Sequence, residues 1–497
     1  MNIPAKEITE VTEELVQLAN LHLPEDVSAA LSRAAARESS PTGRLILELL
    51  LENSRIARRD RLPICQDTGI DVFFVEIGRS ISIDGDLVHA INKGVASGTR
   101  KGYLRCSVCD PLTRENTGDN TPAVVHVELT GGEGLVIDCL PKGCGSENMG
   151  ALFMLPPSAG VDGIVKAVVD TVLKAGPNPC PPGVIGVGIG GTMEKAALLS
   201  KKALLRPIGE PSPREDTARL EARLFSEINR LGIGPQGLGG DVTALGVAVE
   251  TYPCHIASLP VAVNIQCHAA RHARAVWHDG LWTIGTDAGP AASRMDAECG
   301  HTPFSQDKAI GIELPATKET LSRLKTGDWV LLNGVLYTGR DQTHRRLVEL
   351  MDQGRPLPVD LKGQTIYYTG PSPAPPGRVI GSAGPTTSYR MDAYTPRLLE
   401  QGVTATLGKG RRSLEVREAM KRHGAIYLAA IGGAGAYLSG CITGCELIAF
   451  PDLGPEAMYR IEVEDLPAIV INDSTGSDLY EEIAASKIKA SPDEGLA

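Results

Sequence analysis

The sequence predicts a mixed α/β protein of two domains: a larger N-terminal α+β domain at residues 1–285 and a smaller C-terminal β/α domain at 311–497. Three observations lead there. The length of 497 residues allows two or three domains at roughly 150 residues each. Short apolar runs alternate with amphipathic stretches on both sides of the chain's middle. Between Thr283 and Ile312 apolar periodicity fades and Gly, Asp, Ser and Pro accumulate, which predicts a linker placed at 286–310.

Element by element, Ile8, Val11, Leu15 and Leu18 recur three and four residues apart between glutamates, the stripe of an amphipathic helix. Pro24, Glu25 and Asp26 suit the first turn of a second helix, where proline costs no hydrogen bond and acids meet the positive end of the dipole. Asp71 to Ile77, Ala123 to Leu129 and Gly134 to Leu140 are apolar runs bounded by turn residues and read as strands. Beyond the linker, Ala316 to Leu324 is expected to be helical, Asp328 to Tyr337 a strand, and Pro467 the opening of a strand over Ala468 to Ile471. Ala425 to Leu438 is apolar but short and rich in glycine, a core element rather than a membrane span, which needs ~20 apolar residues.

Composition narrows the function. The 49 basic against 60 acidic side chains give a net charge of −11, which argues against a nucleic-acid partner. No apolar stretch predicts a membrane span, and the acidic, amphipathic start predicts no secretory leader. Eleven cysteines without such a leader suit a reducing cytoplasm, where thiols stay free or bind metal. Only Cys441 and Cys445 lie beyond the linker, so whatever the thiols do belongs to the first domain.

Several local patterns have plain explanations. Gly186 to Gly191 matches G-x-G-x-x-G, but the acid expected about 20 residues on would fall in a proline-broken run, so a tight strand-to-helix turn is the better reading. Cys106-x-x-Cys109 lacks a second pair at zinc spacing, and it and Cys441/Cys445 are read as buried thiols. Cys267-His268 with His272 is read as part of an ordinary helix, without ligation by the histidines.

The stronger signal is a set of polar loops between apolar runs, the places where sites are usually hung. They are Pro63 to Gly69, Arg114 to Pro122, Lys142 to Asn148, Gly339 to Asp341, Gly384 to Arg390 and Lys409 to Arg412. Arginine recognises planar carboxylates bidentately, and clustered thiolates select zinc or an iron–sulfur cluster. Together they suggest a carboxylate substrate held beside a thiolate-bound metal.

On these segments the chain resembles the class I, iron–sulfur-dependent fumarate hydratases and their L-tartrate dehydratase and mesaconate hydratase relatives, in a form with both domains fused. The matches are Cys65 to Gly69, Asn116 to Ala123, Lys142 to Asn148, Cys180-Pro-Pro with Gly190-Gly191, Cys254 to Cys267, Gly339 to Asp341, Gly384 to Asp392 and Glu462 to Asp465. The resemblance implies an N-terminal cluster-binding domain and a C-terminal domain of the swivelling type. It implies a [4Fe-4S] cluster on Cys65, Cys180 and Cys267, three thiolates that leave one iron open as a Lewis acid. It implies that Gln66, Asp67, Arg105, Gly145, Arg340, Thr386, Arg390 and Lys409 contact the dicarboxylate, and that His255 reaches the site from a partner subunit in a homodimer. Thr386 stands where the family places its base. Asp67 competes for that role, because a carboxylate is the more usual proton acceptor.

The expected reaction is reversible hydration of fumarate to (S)-malate by a cytoplasmic hydro-lyase. L-Tartrate dehydratase and mesaconate hydratase are the nearest alternatives. A non-catalytic iron–sulfur sensor is the alternative from another class, and a sensor has no need of a substrate clamp. Cys144, in Lys142-Gly-Cys-Gly, and Tyr389 are departures from the family pattern.

Overall fold

The computed structural model describes residues 1–286 and 309–490. Most of the expected linker at 286–310 therefore lies outside the described residues. Its wider bounds, Thr283 and Ile312, both fall inside strands.

The N-terminal strands are β1 (Asn2–Pro4), β2 (Ile70–Gly78), β3 (Ser82–Asp84), β4 (Val124–Thr130), β5 (Leu135–Lys142), β6 (Ala151–Leu155), β7 (Gly183–Gly190), β8 (Ala244–Tyr252), β9 (Leu259–Gln266), β10 (Ala273–His278) and β11 (Leu281–Gly285). The helices among them are α1 (Ala5–Leu21), α2 (Glu25–Arg37), α3 (Pro41–Asp60), α4 (Leu87–Lys101), α5 (Cys144–Glu147), α6 (Gly160–Ala175), α7 (Met193–Lys202) and α8 (Glu215–Arg230). α1 buries Ile8, Val11 and Leu15, the face the spacing predicted. α2 starts after Pro24 with Glu25 and Asp26 in its first turn. α3 begins where Ser40 accepts a hydrogen bond from Gly43 N, with Pro41 at the first helical position.

Apart from the short pair β1-β3, these elements build two sheets. One has five strands in the order β11-β10-β5-β2-β4, the other four in the order β6-β9-β7-β8. The glycine pattern at 186–191 is the end of β7 and its turn towards α7. A Cβ on Gly186 or Gly188 would overlap Ser200 O or Ala196 O of that helix, so the glycines let helix and strand touch backbone to backbone. The plain reading of this motif stands.

The C-terminal strands are β12 (Ile310–Leu314), β13 (Trp329–Thr338), β14 (Thr365–Tyr367), β15 (Ala405–Gly408), β16 (Ile426–Ala429), β17 (Ile442–Ala449) and β18 (Met458–Asn472). Their helices are α9 (Lys318–Ser322), α10 (Asp341–Asp352), α11 (Thr395–Glu400), α12 (Leu414–His423), α13 (Gly435–Ser439) and α14 (Leu479–Ala490). β12 to β16 run parallel, each beside the next. β18 pairs antiparallel with both β16 and β13, which closes β13-β14-β15-β16-β18 into a ring. Closure satisfies the sheet edges that an open sheet would leave bare.

Three sequence expectations need correction here. Pro467 does not open a strand but lies inside β18, opposite Leu331 of β13. Along its other edge β17 pairs only as far as Val463 and β16 only from Ile469, so the missing proline N–H falls in a gap of the ladder. The helix expected over Ala316 to Leu324 is the single turn α9, capped by Thr317 accepting from Thr320 N. Cys267 to His272 is not helical; it is an irregular passage from β9 to β10.

Two smaller apolar clusters fill the N-terminal sheets, while the largest crosses the boundary. It joins Leu31, Ile46 and Leu50 of α2 and α3 to Val330, Ile426 and Ile469 of the closed ring. Asn53 of α3, 1% exposed, adds polar ties: it donates to Gly433 O at 3.2 Å and accepts from Tyr437 N at 2.9 Å. The two halves are packed against each other as one core.

Candidate active site

Three loops of the N-terminal half bring Cys65, Cys180 and Cys267 together. Cys65 sits in the turn between α3 and β2. Cys180 follows α6, buried at 1% exposure and held at φ +57°, a left-handed backbone uncommon outside glycine. Cys267 directly follows β9 and is partly exposed. Burial pushes the Cys180 thiol up to about 11, against the lowering field of Lys409, and the charges of Cys267 and Cys65 add to the rise. Lys409 donates from Nζ to Cys180 Sγ at 2.5 Å. Burial alone would lower that ammonium, but Cys180, Cys65 and Cys267 together hold it above its ordinary value. One lysine thus faces all three thiols.

The turn after Cys65 is fixed from several sides. Arg105 NH2 donates to Asp67 Oδ1 at 2.6 Å, and Cys144 N donates to Oδ2 at 3.1 Å. Arg271 NH2 donates to Asp67 O at 2.8 Å, and Thr68 Oγ1 to Arg105 O at 2.8 Å. Burial would raise the Asp67 carboxyl, yet Arg105, Arg340, Arg271 and Lys409 outweigh it and hold it down at about 2. Asp67 is therefore ionised and engaged through both oxygens. Gln66 is also committed: its Nε2 donates to Pro385 O at 3.2 Å, and its Oε1 accepts from Cys65 Sγ at 3.3 Å.

The C-terminal half faces these groups with cations. Arg340 follows β13 and starts α10, buried, 3.4 Å from Glu456. Arg390 NH2 donates to Thr386 Oγ1 at 2.6 Å, and its NH1 lies 3.6 Å from Asp341. Lys409 follows β15 directly. A Cβ on Gly145 would lie 3.2 Å from Lys409 Nζ and 3.4 Å from Thr387 Oγ1, so a glycine there keeps the space between the halves open. A Cβ on Gly432 would overlap Cys180 Sγ.

Charge and hydrogen-bond demand point the same way. Among the described residues, Arg105, Arg271, Arg340, Arg390 and Lys409 outnumber the carboxyl groups they face, those of Asp67, Asp71, Asp341 and Glu456, of which burial pushes Asp71 up to about 7. Nε of Arg271, Arg340 and Arg390, NH1 of Arg271 and Oγ1 of Thr387 are buried with no partner among the described residues. Buried donors without acceptors are costly unless an anionic ligand meets them. The arrangement is suited to binding an anion beside three thiols.

Of the residues expected at the site, Cys65, Cys180, Cys267, Gln66, Asp67, Arg105, Gly145, Arg340, Thr386, Arg390 and Lys409 line this boundary. His255 does not join them within its own chain. It lies in the exposed turn between β8 and β9, its Nδ1 accepting from Ala257 N at 3.1 Å. Cys106, Cys109, Cys441 and Cys445 are partly exposed rather than buried, the first pair in the loop after Arg105.

Sequence reasoning missed four supporting residues. Arg271 was masked by the helical reading of its segment. Lys142, fully buried, donates to Ile265 O at 2.8 Å and Ser146 Oγ at 3.0 Å, bracing the Gly145 turn against β9. Gln236 is paired with both backbone groups of Gly432 beside Cys180, at 3.0 and 3.3 Å. Glu456 carries no local motif at all.

Comparison with known proteins bears on the whole chain. The family model described as fumarate hydratase (fumerase) matches residues 9–276, and that of the fumarase C-terminus matches 282–483. The "Fumarate hydratase class I, aerobic" of Salmonella typhimurium is 34% identical over 91% of this chain and 81% of its own. "Fumarate hydratase 2" of Leishmania major is 34% identical over 90% of this chain and 82% of its own. The "Putative L(+)-tartrate dehydratase subunit alpha" of Methanocaldococcus jannaschii is 45% identical over 54% of this chain and 96% of its own. With both halves matched in order and the site residues gathered where those halves meet, this chain belongs to the class I fumarate hydratase family of hydro-lyases.

Proposed function

We propose that the enzyme adds water reversibly to fumarate, giving (S)-malate, at a [4Fe-4S] cluster held by Cys65, Cys180 and Cys267. The observation that carries this reading is the convergence of three thiols from separate loops on a surplus of buried cations. Among the described residues no three His, Cys, Asp or Glu side chains are close enough to hold a single metal ion. A cluster asks for a different arrangement, with each thiolate on its own iron, and the donor set of three thiols fits it. When bound, such a cluster supplies an open iron as a Lewis acid towards the hydroxyl of the substrate.

The chain's own residues do the rest. Arg340, Arg390 and Lys409 bind the carboxylates, with Arg105 holding Asp67 in place. Because these cations are set before substrate arrives, they stabilise the extra negative charge that builds up when a proton leaves the carbon beside a carboxylate. The proton acceptor is Thr386. Arg390 at 2.6 Å favours the ionised form of its hydroxyl, whereas Asp67, held down at about 2 and hydrogen-bonded through both oxygens, is a poor base. The site works as a homodimer in the cytoplasm, with His255 donated across the subunit interface. No described helix is long and apolar enough to cross a membrane.

Anaerobic reconstitution followed by parallel assays of fumarate, mesaconate and L-tartrate tests this. Hydration of fumarate well above the other two is the expected result. The 45% identity over 54% of this chain to a putative L(+)-tartrate dehydratase subunit alpha favours L-tartrate as the second substrate to try. A cluster that forms while all three compounds stay unchanged leaves the sensor reading standing and overturns this one.

A further inference from the structure

Arg271 lies in the irregular segment between Cys267 and β10, 2% exposed. Its NH2 donates to Asp67 O at 2.8 Å, which ties the stretch behind the third thiol to the turn carrying the first. The remaining part of the fork is unspent, since Nε and NH1 are buried with no partner among the described residues. The carboxylates around it do not account for them. Both oxygens of Asp67 are taken by Arg105 and Cys144 N, while Asp71 accepts from Asn120 through Oδ2 and its Oδ1 has no partner among the described residues. Arg271 also lies near enough to Cys65 for its charge to be felt at that sulfur. A buried guanidinium with idle donors is stable only if an anion lies within reach.

We infer that Arg271 is a positioning residue for the cluster, supplying positive charge and N–H donors to the sulfur around Cys65 while its NH2 fixes the Asp67 main chain. This rests on the reading that Cys65, Cys180 and Cys267 hold that cluster. Outer residues that orient metal ligands typically change affinity 10- to 100-fold when removed. A nearby cation also favours the reduced, more negative state of a cluster, so its loss moves the potential down. Arginine and lysine separate the two contributions, because lysine keeps the charge and loses the planar fork.

The experiment reconstitutes wild type, Arg271→Met and Arg271→Lys anaerobically and measures iron per chain, the rate of iron loss to a chelator, and the midpoint potential by electron paramagnetic resonance. Arg271→Met is expected to lose iron at least about 10-fold faster than wild type, with a more negative potential. Arg271→Lys is expected to regain the wild-type potential while still shedding iron faster. Wild-type iron loss and potential in Arg271→Met would overturn the inference, as would Arg271→Lys with no recovery of potential. If Arg271→Met fails to fold, as judged by thermal unfolding of the apoprotein, Arg271→Lys decides alone: iron loss at the wild-type rate defeats the proposal. A wild type that takes up no iron defeats the cluster reading itself and this inference with it, whereas a loaded wild type indistinguishable from both variants defeats Arg271 alone.

Discussion

The thiols and the cations reach the site by different routes. Arg340, Thr386 and Lys409 all follow the carboxyl ends of neighbouring parallel strands, β13, β14 and β15, and Gly432 follows β16. One closed ring thus presents the C-terminal part of the proposed clamp along a single rim, the usual place for ligands on parallel sheets. The N-terminal half has no such rim. Its cysteines come from a helix-to-strand turn, a loop with a left-handed residue and the end of an antiparallel strand, and buried side chains such as Asn53, Lys142, Arg271 and Gln236 hold those loops in register. A rim tolerates change one loop at a time, whereas three separate loops depend on their ties.

That contrast can be broken most severely at a thiol. Cys180→Ser is expected to abolish both the visible absorbance and hydration, a loss of at least about 10³-fold if a Lewis acid worth several kcal/mol disappears. An active, colourless variant would remove Cys180 from the ligand set. On the rim, Arg390→Ala should leave the absorbance intact while kcat/KM falls about 10²- to 10⁴-fold, since it removes both a carboxylate contact and the partner of Thr386. Loss of the cluster in that variant would mean that the two halves are not separable. Between them, Gly145→Ala narrows the gap to Lys409 and should raise KM about 10-fold with kcat and cluster little changed, as titration of initial rates against fumarate would show.

The smallest effect sharpens the comparison inside the N-terminal half. Asp67 and Asp71 are four residues apart and shifted in opposite directions. Asp67 is held down at about 2, so its contribution to stability is present above the ordinary carboxylate value of 3.8 and is lost as pH falls through about 2. For Asp71, burial pushes the carboxyl up to about 7 against the weaker pull of Asn120 and Arg271. The unfolded chain releases that proton first, so stability declines as pH rises from about 4 to 7. Urea unfolding of the apoprotein at pH 5 and pH 8 should show the decline in wild type and a smaller one in Asp71→Asn. Equal declines would remove Asp71 as its source.

Much of the site was legible because its residues sit in short polar loops between apolar runs. The same contrast exposed β2, β4, β5 and β13. What escaped depended on neighbours that sequence does not reveal. Pro467 could enter a strand because two other strands leave a gap beside it, and Arg271 looked helical because local composition says nothing of the β10 ladder that starts at Ala273. Lys142 and Gln236 act through backbone atoms more than 100 residues away, a relation that no spacing rule carries.

The apolar cluster shared by α2, α3 and the ring has a consequence for the covalent bond between the halves. Since α2, α3 and the ring share one buried apolar cluster, cutting the backbone between 286 and 309 removes a tether but leaves the adhesion. The two fragments should elute together, melt in a single transition and turn over together, as subunits that happen to be encoded in one reading frame.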